Sequence, residues 1–159
     1  MKAQHDQQGL KVVSLRFWTH PEAIKAIPYI RAVARSLREY WIELRKAKRR
    51  LERLEACPGR PNRSALLLRE ELIGESERAG ERCREAIYDL MALDIYSVDP
   101  AGGIALIPFA HKGQLAWFVF DLFSAHPIES WQLVGDAPST RRSLIGVAPG
   151  NPPARAAGR

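Results

Sequence analysis

The side chains best suited to chemistry lie close together near the C-terminal end: Trp131, Asp136, Arg141 and Arg142, gathered around a Gly135-Asp136-Ala137-Pro138 turn. A guanidinium offers planar, forked donors that match a phosphate or a carboxylate, and an indole offers a face on which a cation or ring stacks. Together they describe an anion- or partner-binding surface. The same residues admit a purely structural reading, in which Asp136 pairs with one arginine and pins the last segment down. Asp121 and Glu129 are the remaining carboxylates after Asp99. They suit acid–base work only if a deep pocket joins one of them to Arg141 and Arg142.

Elsewhere the spacing excludes most site chemistries. GxGxxG, Walker A and HExxH patterns are absent from the sequence, and no Ser/His/Asp or Cys/His set follows from local spacing. His20 and His126 each precede a proline, where a turn or capping role explains them, and His111 sits beside Lys112 and reads as a solvated turn residue. Cys57 and Cys83 lie far apart, without a CxxC and without a histidine at ligand spacing. Such cysteines suit neither a disulfide framework nor a zinc site, and fit a reducing cytoplasm. No catalytic residue, metal or cofactor is therefore expected. A second cluster is basic: Lys46, Arg49, Arg50 and Arg53, with Arg45 and Lys48 beside them. Such a run either tracks a phosphate backbone or is a solvated helix face. The net charge of +6 favours an anionic partner, protein or nucleic acid, without establishing one.

These groups need elements to hold them. With 159 residues, 46% of them apolar, the chain suffices for one domain with a core that needs no staples. Residues 1–9 are polar and lack the apolar stretch of a signal peptide, and the longest apolar run, 115–123, is about half of what a membrane helix requires. A soluble cytoplasmic protein without a membrane partner is expected. The division expected is a tail at 1–10, one domain at 11–146, made of a helical hairpin (19–94) and a β module (95–146), and a Pro/Gly/Ala/Arg tail at 147–159.

Thr19-His20-Pro21-Glu22 reads as a capping box that opens the first helix. From there apolar or small residues recur at intervals of three and four: Ala23, Ala26, Ile30, Val33, Leu37, Tyr40, Leu44, Ala47, Leu51 and Leu54. Pro28 falls inside this pattern and predicts a kink. Residues 57–62 are dense in breakers, and Asn62 or Ser64 caps a second helix reaching about Leu93. Its seam runs Ala65, Arg69, Leu72, Ser76, Ala79, Cys83, Ala86, Leu90 and Leu93. Folding the two together sets Leu44 against Ser76, Tyr40 against Ala79 and Leu37 against Cys83, large facing small along the middle. Charge favours the same pairing, because residues 31–55 carry nine basic and four acidic side chains and residues 63–94 five and eight.

A second stripe flanks each seam: Ile27, Ala34 and Trp41 on the first helix, Leu66, Ile73, Gly80 and Ile87 on the second. Two helices cannot bury both stripes in one contact, so either the β module or a second hairpin must cover them. Gly74 and Gly80 are each costly inside a helix by about 1 kcal/mol, and suggest the close approach of another backbone or of Trp41; local weakness is the alternative. After Asp94 short aromatic and β-branched runs predict strands at 95–98, 104–109, 115–120 and 131–134, with turns at 99–103 and Lys112-Gly113. Residues 115–120 are apolar on both faces and should form the central strand, and 11–17 could add an edge strand.

Arg16-Phe17-Trp18-Thr19, Glu22-Ala23 and Ile27-Pro28, then Leu93-Asp94-Ile95-Tyr96 and a closing Arg141-Arg142-Ser143-Leu144, resemble the bacterial family called domain of unknown function 2203. The resemblance covers most of residues 16–144 and implies the same order of elements. Members of that family often carry a Cys-Trp pair and a Trp-His pair in the β module. Ala116-Trp117 and Trp131-Gln132 stand there in this sequence, so no metal or catalytic role built on that Cys and His carries over. The expectation is an α+β fold, a coiled-coil-like helical hairpin followed by an antiparallel β meander. The leading function is non-enzymatic interaction or assembly: a homodimer joined through Ile27, Trp41, Ile73 and Ile87. The alternatives are RNA or DNA binding through the hairpin tip, and a small enzyme with its site in the β module.

Overall fold

The computed structural model describes residues 14–137 and 139–144. The tails expected at 1–10 and 147–159 lie outside these residues. The described chain is α+β: a helical hairpin followed by an antiparallel meander.

Helix α1 (His20–Glu55) starts where the capping box places it. The Thr19 N–H donates to the Glu22 carboxylate at 2.8 Å, and the Glu22 N–H donates to Thr19 Oγ1 at 3.4 Å. Each thus satisfies an amide that the helix leaves without an internal acceptor. The helix continues through Pro28. The bond lost there is to the Ile24 carbonyl, and Ile24 and Pro28 are both exposed, so water can replace it. Helix α2 (Arg63–Met91) is capped by Asn62, whose Oδ1 accepts from the Ala65 N–H at 2.8 Å. It ends as Asp94 turns left-handed (φ 57°), a conformation an aspartate tolerates better than most residues. The Ile95 N–H then closes on the Leu90 carbonyl at 3.0 Å.

Where the helices meet, size alternates. Ala23, Ile30, Ala34, Leu37 and Ala47 are buried on α1, and Leu72, Ala79, Cys83, Ala86 and Leu90 on α2. The level of contact differs from the simple pairing. Leu44 Cδ1 lies beside Gly80, 3.9 Å from where a Cβ would stand, one turn beyond the Ser76 expected opposite it. Helical side chains lean toward the N-terminus of their own helix, so the knobs of α1 reach a level nearer the C-terminal end of antiparallel α2. Arg50–Glu75 (3.8 Å) and Arg69–Glu55 (3.1 Å) join the exposed flanks. Each such pair is worth about 0–1 kcal/mol, against about 1.5–3 kcal/mol for burying one leucine, so the seam rather than the charges holds the hairpin.

The sheet comprises β1 (Tyr96–Asp99), β2 (Ile104–His111), β3 (Gln114–Asp121), β4 (Ile128–Leu133) and β5 (Arg142–Ser143), paired antiparallel in chain order. Strand β3 is central, as expected. Lys112 (φ 50°) and Gly113 (φ 77°) are both left-handed, the geometry of a two-residue hairpin whose twist matches its strands. At Gly103 (φ 69°) an added Cβ would also stand 2.6 Å from Leu122 Cβ, so this turn admits only glycine. β5 was not foreseen: two residues show no periodicity, and only their pairing with Ser130 and Trp131 defines them. The segment before α1 forms no strand over 14–17. It nevertheless approaches the β2 edge, where the Trp18 N–H donates to the Pro108 carbonyl at 2.8 Å. The Trp18 indole N–H also donates to the Leu93 carbonyl at 3.0 Å, tying three elements together.

One face of the sheet, with Ala105, Ile107, Phe109, Ala116, Phe118 and Phe120, packs on the base of the hairpin. Ala34 is buried in this core, and Ile27, Trp41 and Ile87 pack against it partly buried, so the β module gives this part of the second stripe cover within the chain. Arg38 ties α1 to the β1–β2 turn, donating from Nε to the Ala101 carbonyl at 2.9 Å. The shared core stops at Leu44 on α1 and Cys83 on α2. Beyond it, among the described residues, the two helices pack only on each other.

Candidate functional site

Strand alternation splits the cluster around Trp131. The register sets Trp131 opposite both Phe118 and Arg142, which places it on the helix-packed face. The Arg142 guanidinium lies 5.2 Å from the Trp131 ring and is held by the Asp136 carboxylate, which also accepts from the Leu133 N–H at 2.8 Å. The Arg142 hydrogen bond, followed by that of Leu133, lowers the Asp136 pKa from the ordinary 3.8, and the same pair raises that of Arg142. Three of the four predicted residues thus come together, but as a closed set in which Asp136 occupies the guanidinium. That is the structural reading of the motif.

Sequence reasoning missed His111. It lies in β2 rather than in the turn, and its ring packs 4.4 Å from the Trp131 ring. Trp131 reaches it across β3 because the intervening residue on that face is Ala116, fully buried and small. The signal was present: His111 follows Phe109 at the two-residue strand period, so both side chains share a face. Phe109 stacks on Phe118 at 3.9 Å and meets Trp131 edge-on at 5.9 Å. Trp131 is 7% exposed and its Nε1 finds no acceptor, an orphan it shares with Arg31 Nε.

Arg141 goes the other way. It lines a cleft of about 340 Å³ on the opposite face of the sheet, with Val98, Asp99, Ile104, Leu106, Val119 and Gln132. Its Nη1 lies 3.9 Å from Asp121 Oδ2. Glu129 instead accepts from the Ser124 hydroxyl at 3.3 Å. Arg141 thus lies beside Asp121 at this cleft while Arg142 is held by Asp136 on the other face, so the two arginines do not converge on one carboxylate. Among the described residues no group of three His, Cys, Asp or Glu side chains could hold a metal ion.

On the hairpin, Lys46, Arg49, Arg50 and Arg53 are all exposed. Their spacing of i, i+3, i+4 and i+7 puts them on one side of α1. Among the described residues only Arg50 has a carboxylate within 4 Å. All four residues of the assembly stripe are half-buried: Ile27, Trp41 and Ile87 pack against the shared core, whereas Ile73 stands on the distal arm, two turns from Leu66 and Leu67, which are 49% and 57% exposed. Close packing on the stripe glycines is not seen. A Cβ at Gly80 would meet Arg84 at 3.7 Å and Leu44 at 3.9 Å, and one at Gly74 only the flexible end of Arg78, at 3.2 Å, so Trp41 packs elsewhere.

Fold and site together define a gripped helical hairpin with an aromatic β base. No protein-family model, curated protein or solved structure matches the chain. No helix among the described residues is long and apolar enough to cross a membrane.

Proposed function

We propose that this chain is a non-enzymatic assembly protein that uses the distal arm of its hairpin to bind a second copy of itself. The observation that carries this reading is the exposure of Leu66 and Leu67, two turns from half-buried Ile73, on the part of α2 beyond the core shared with the sheet. Residues of this size gain about 1.5–3 kcal/mol each on full burial, enough to favour helix packing once a partner arm lies alongside. The order of elements resembling domain of unknown function 2203 is part of the proposal and contributes the architecture only. Trp41 is a poor probe because it packs into the chain's own core. The informative variant is Leu66→Glu/Leu67→Glu. Light scattering should find association at micromolar wild-type concentration, and a monomer with unchanged helicity for the variant. A wild type that stays monomeric removes the proposal.

A second reading, RNA or DNA binding through the tip, is favoured by the solvent-facing stripe of Lys46, Arg49, Arg50 and Arg53, three of which have no carboxylate within 4 Å among the described residues. It predicts duplex or single-strand binding that weakens steeply with salt, and its loss in Arg49→Glu/Arg50→Glu. The absence of any mobility shift at low salt would end it.

A further inference from the structure

The sheet face turned away from the helical core carries a cleft that reads as a small-molecule site. Its floor is aliphatic: Ile104 and Leu106 from β2, Val119 from β3, with Val98 at the β1 edge. Val119 is only 2% exposed, so the floor is recessed rather than flat. None of Leu106, Trp117 or Val119 belongs to the core that the helices cover. On the same face of the sheet, outside the cleft lining, Tyr96 and Trp117 meet edge-to-face at 5.8 Å. The volume of about 340 Å³ lies at the lower end of the range for small-ligand sites, about 300–1,000 Å³.

Three polar side chains ring this floor: Arg141, Gln132 and Asp99. Arg141 is the group with donors to spare. Among the described residues its one charged neighbour is Asp121, at 3.9 Å, beyond hydrogen-bonding distance. Its side chain is 40% exposed, so this contact is a weak, screened one that a better acceptor can replace. Asp99 is already engaged, its Oδ1 accepting from the Gly102 N–H at 2.9 Å in its own turn. It stands on β1, at the opposite edge of the sheet from Arg141, which precedes β5.

We propose that this cleft binds a small organic acid, a single carboxylate on an apolar body. The body lies on Ile104, Leu106 and Val119, and the carboxylate takes the fork of Arg141 in place of Asp121. A planar guanidinium matches a carboxylate with two parallel hydrogen bonds, which a hydroxyl cannot reproduce. A second carboxylate at the far end of the ligand would face Asp99, so the site selects monoacids over diacids of equal length. The site is independent of the hairpin tip and of any self-association.

The test is a titration of the full ¹⁵N-labelled chain, followed by NMR, with 4-phenylbutyrate as probe. The matched alcohol, 4-phenylbutan-1-ol, and the diacid suberate serve as comparators. The acid should shift the amides of Ile104, Leu106, Val119 and Arg141 saturably, and the alcohol and the diacid should each bind about tenfold more weakly, the usual worth of one charge-assisted hydrogen bond. Arg141→Gln should weaken the acid about tenfold and leave the alcohol unchanged. Asp121→Asn, which removes the competing carboxylate, should tighten the acid by about two- to threefold. The proposal is overturned by no saturable shift at these amides up to about 10 mM acid, by equal binding of acid and alcohol, or by an Arg141→Gln chain that binds the acid as wild type does. Should Arg141→Gln not fold, the acid–alcohol comparison and the direction of the Asp121→Asn change decide.

Discussion

Asp136 is where a charged group shapes the base of the molecule. Its carboxylate accepts from the Arg142 guanidinium and the Leu133 amide, both of which favour the ionised form, and its pKa falls below 3.8 as a result. Because the folded pKa is the lower one, the contribution to stability is complete above the unfolded value and is lost as pH falls from 3.8 through the folded pKa. Asp136→Asn should therefore melt at a lower temperature than wild type at pH 7, with the gap closing as pH falls below 3.8. A gap that stays constant across this range would show that Asp136 acts through its shape alone. At this scale the sequence was half legible. Type and proximity identified Trp131, Asp136 and Arg142 as a group, but two neighbouring arginines on a strand end necessarily address opposite faces, and that separated Arg141 from Arg142. His111 escaped because the strand was ended two residues early.

Among the elements the helices were easiest to foresee, because a capping box, a breaker-rich turn and a long three-four spacing are all local signals. The distribution of the second stripe was not. Whether Ile27 or Ile73 finds cover depends on how far along the hairpin the sheet reaches, which is set by the docking of Trp18 on Leu93 and Pro108 and not by the pattern of either helix. The glycines of α2 offer a test at this scale. The space beside Gly80 accepts a methyl group, so Gly80→Ala should stabilise the isolated chain by about 0.5–1 kcal/mol in denaturant melts. If self-association brings a second backbone against this face, the same substitution weakens the assembly. Destabilisation of a chain held monomeric would contradict the open environment described for Gly80.

For the molecule as a whole, the asymmetry of anchoring matters most. With 36 residues, α1 is about 54 Å long. Its last eleven residues, beyond Leu44, extend about 17 Å past the core shared with the sheet. Local opening is easiest where buried apolar contacts are fewest. Amide exchange should therefore be fastest around residues 50–68, slow progressively toward Ile30 and Leu90, and be slowest in β3. Binding at the tip, by a second copy or by nucleic acid, should slow exchange first where it was fastest. Uniform protection along both helices would mean that the arm is supported by more than its own seam.

A rod gripped at one end is a lever. A sideways push on Leu66 or Arg53 is delivered at the base as torque, and it is resisted there by the shared core, the Trp18 anchor and the Arg38 hydrogen bond to Ala101. Of the polar contacts at the base the Arg38 hydrogen bond stands nearest the tip, so load there would be felt early in the β1–β2 turn around Ala101.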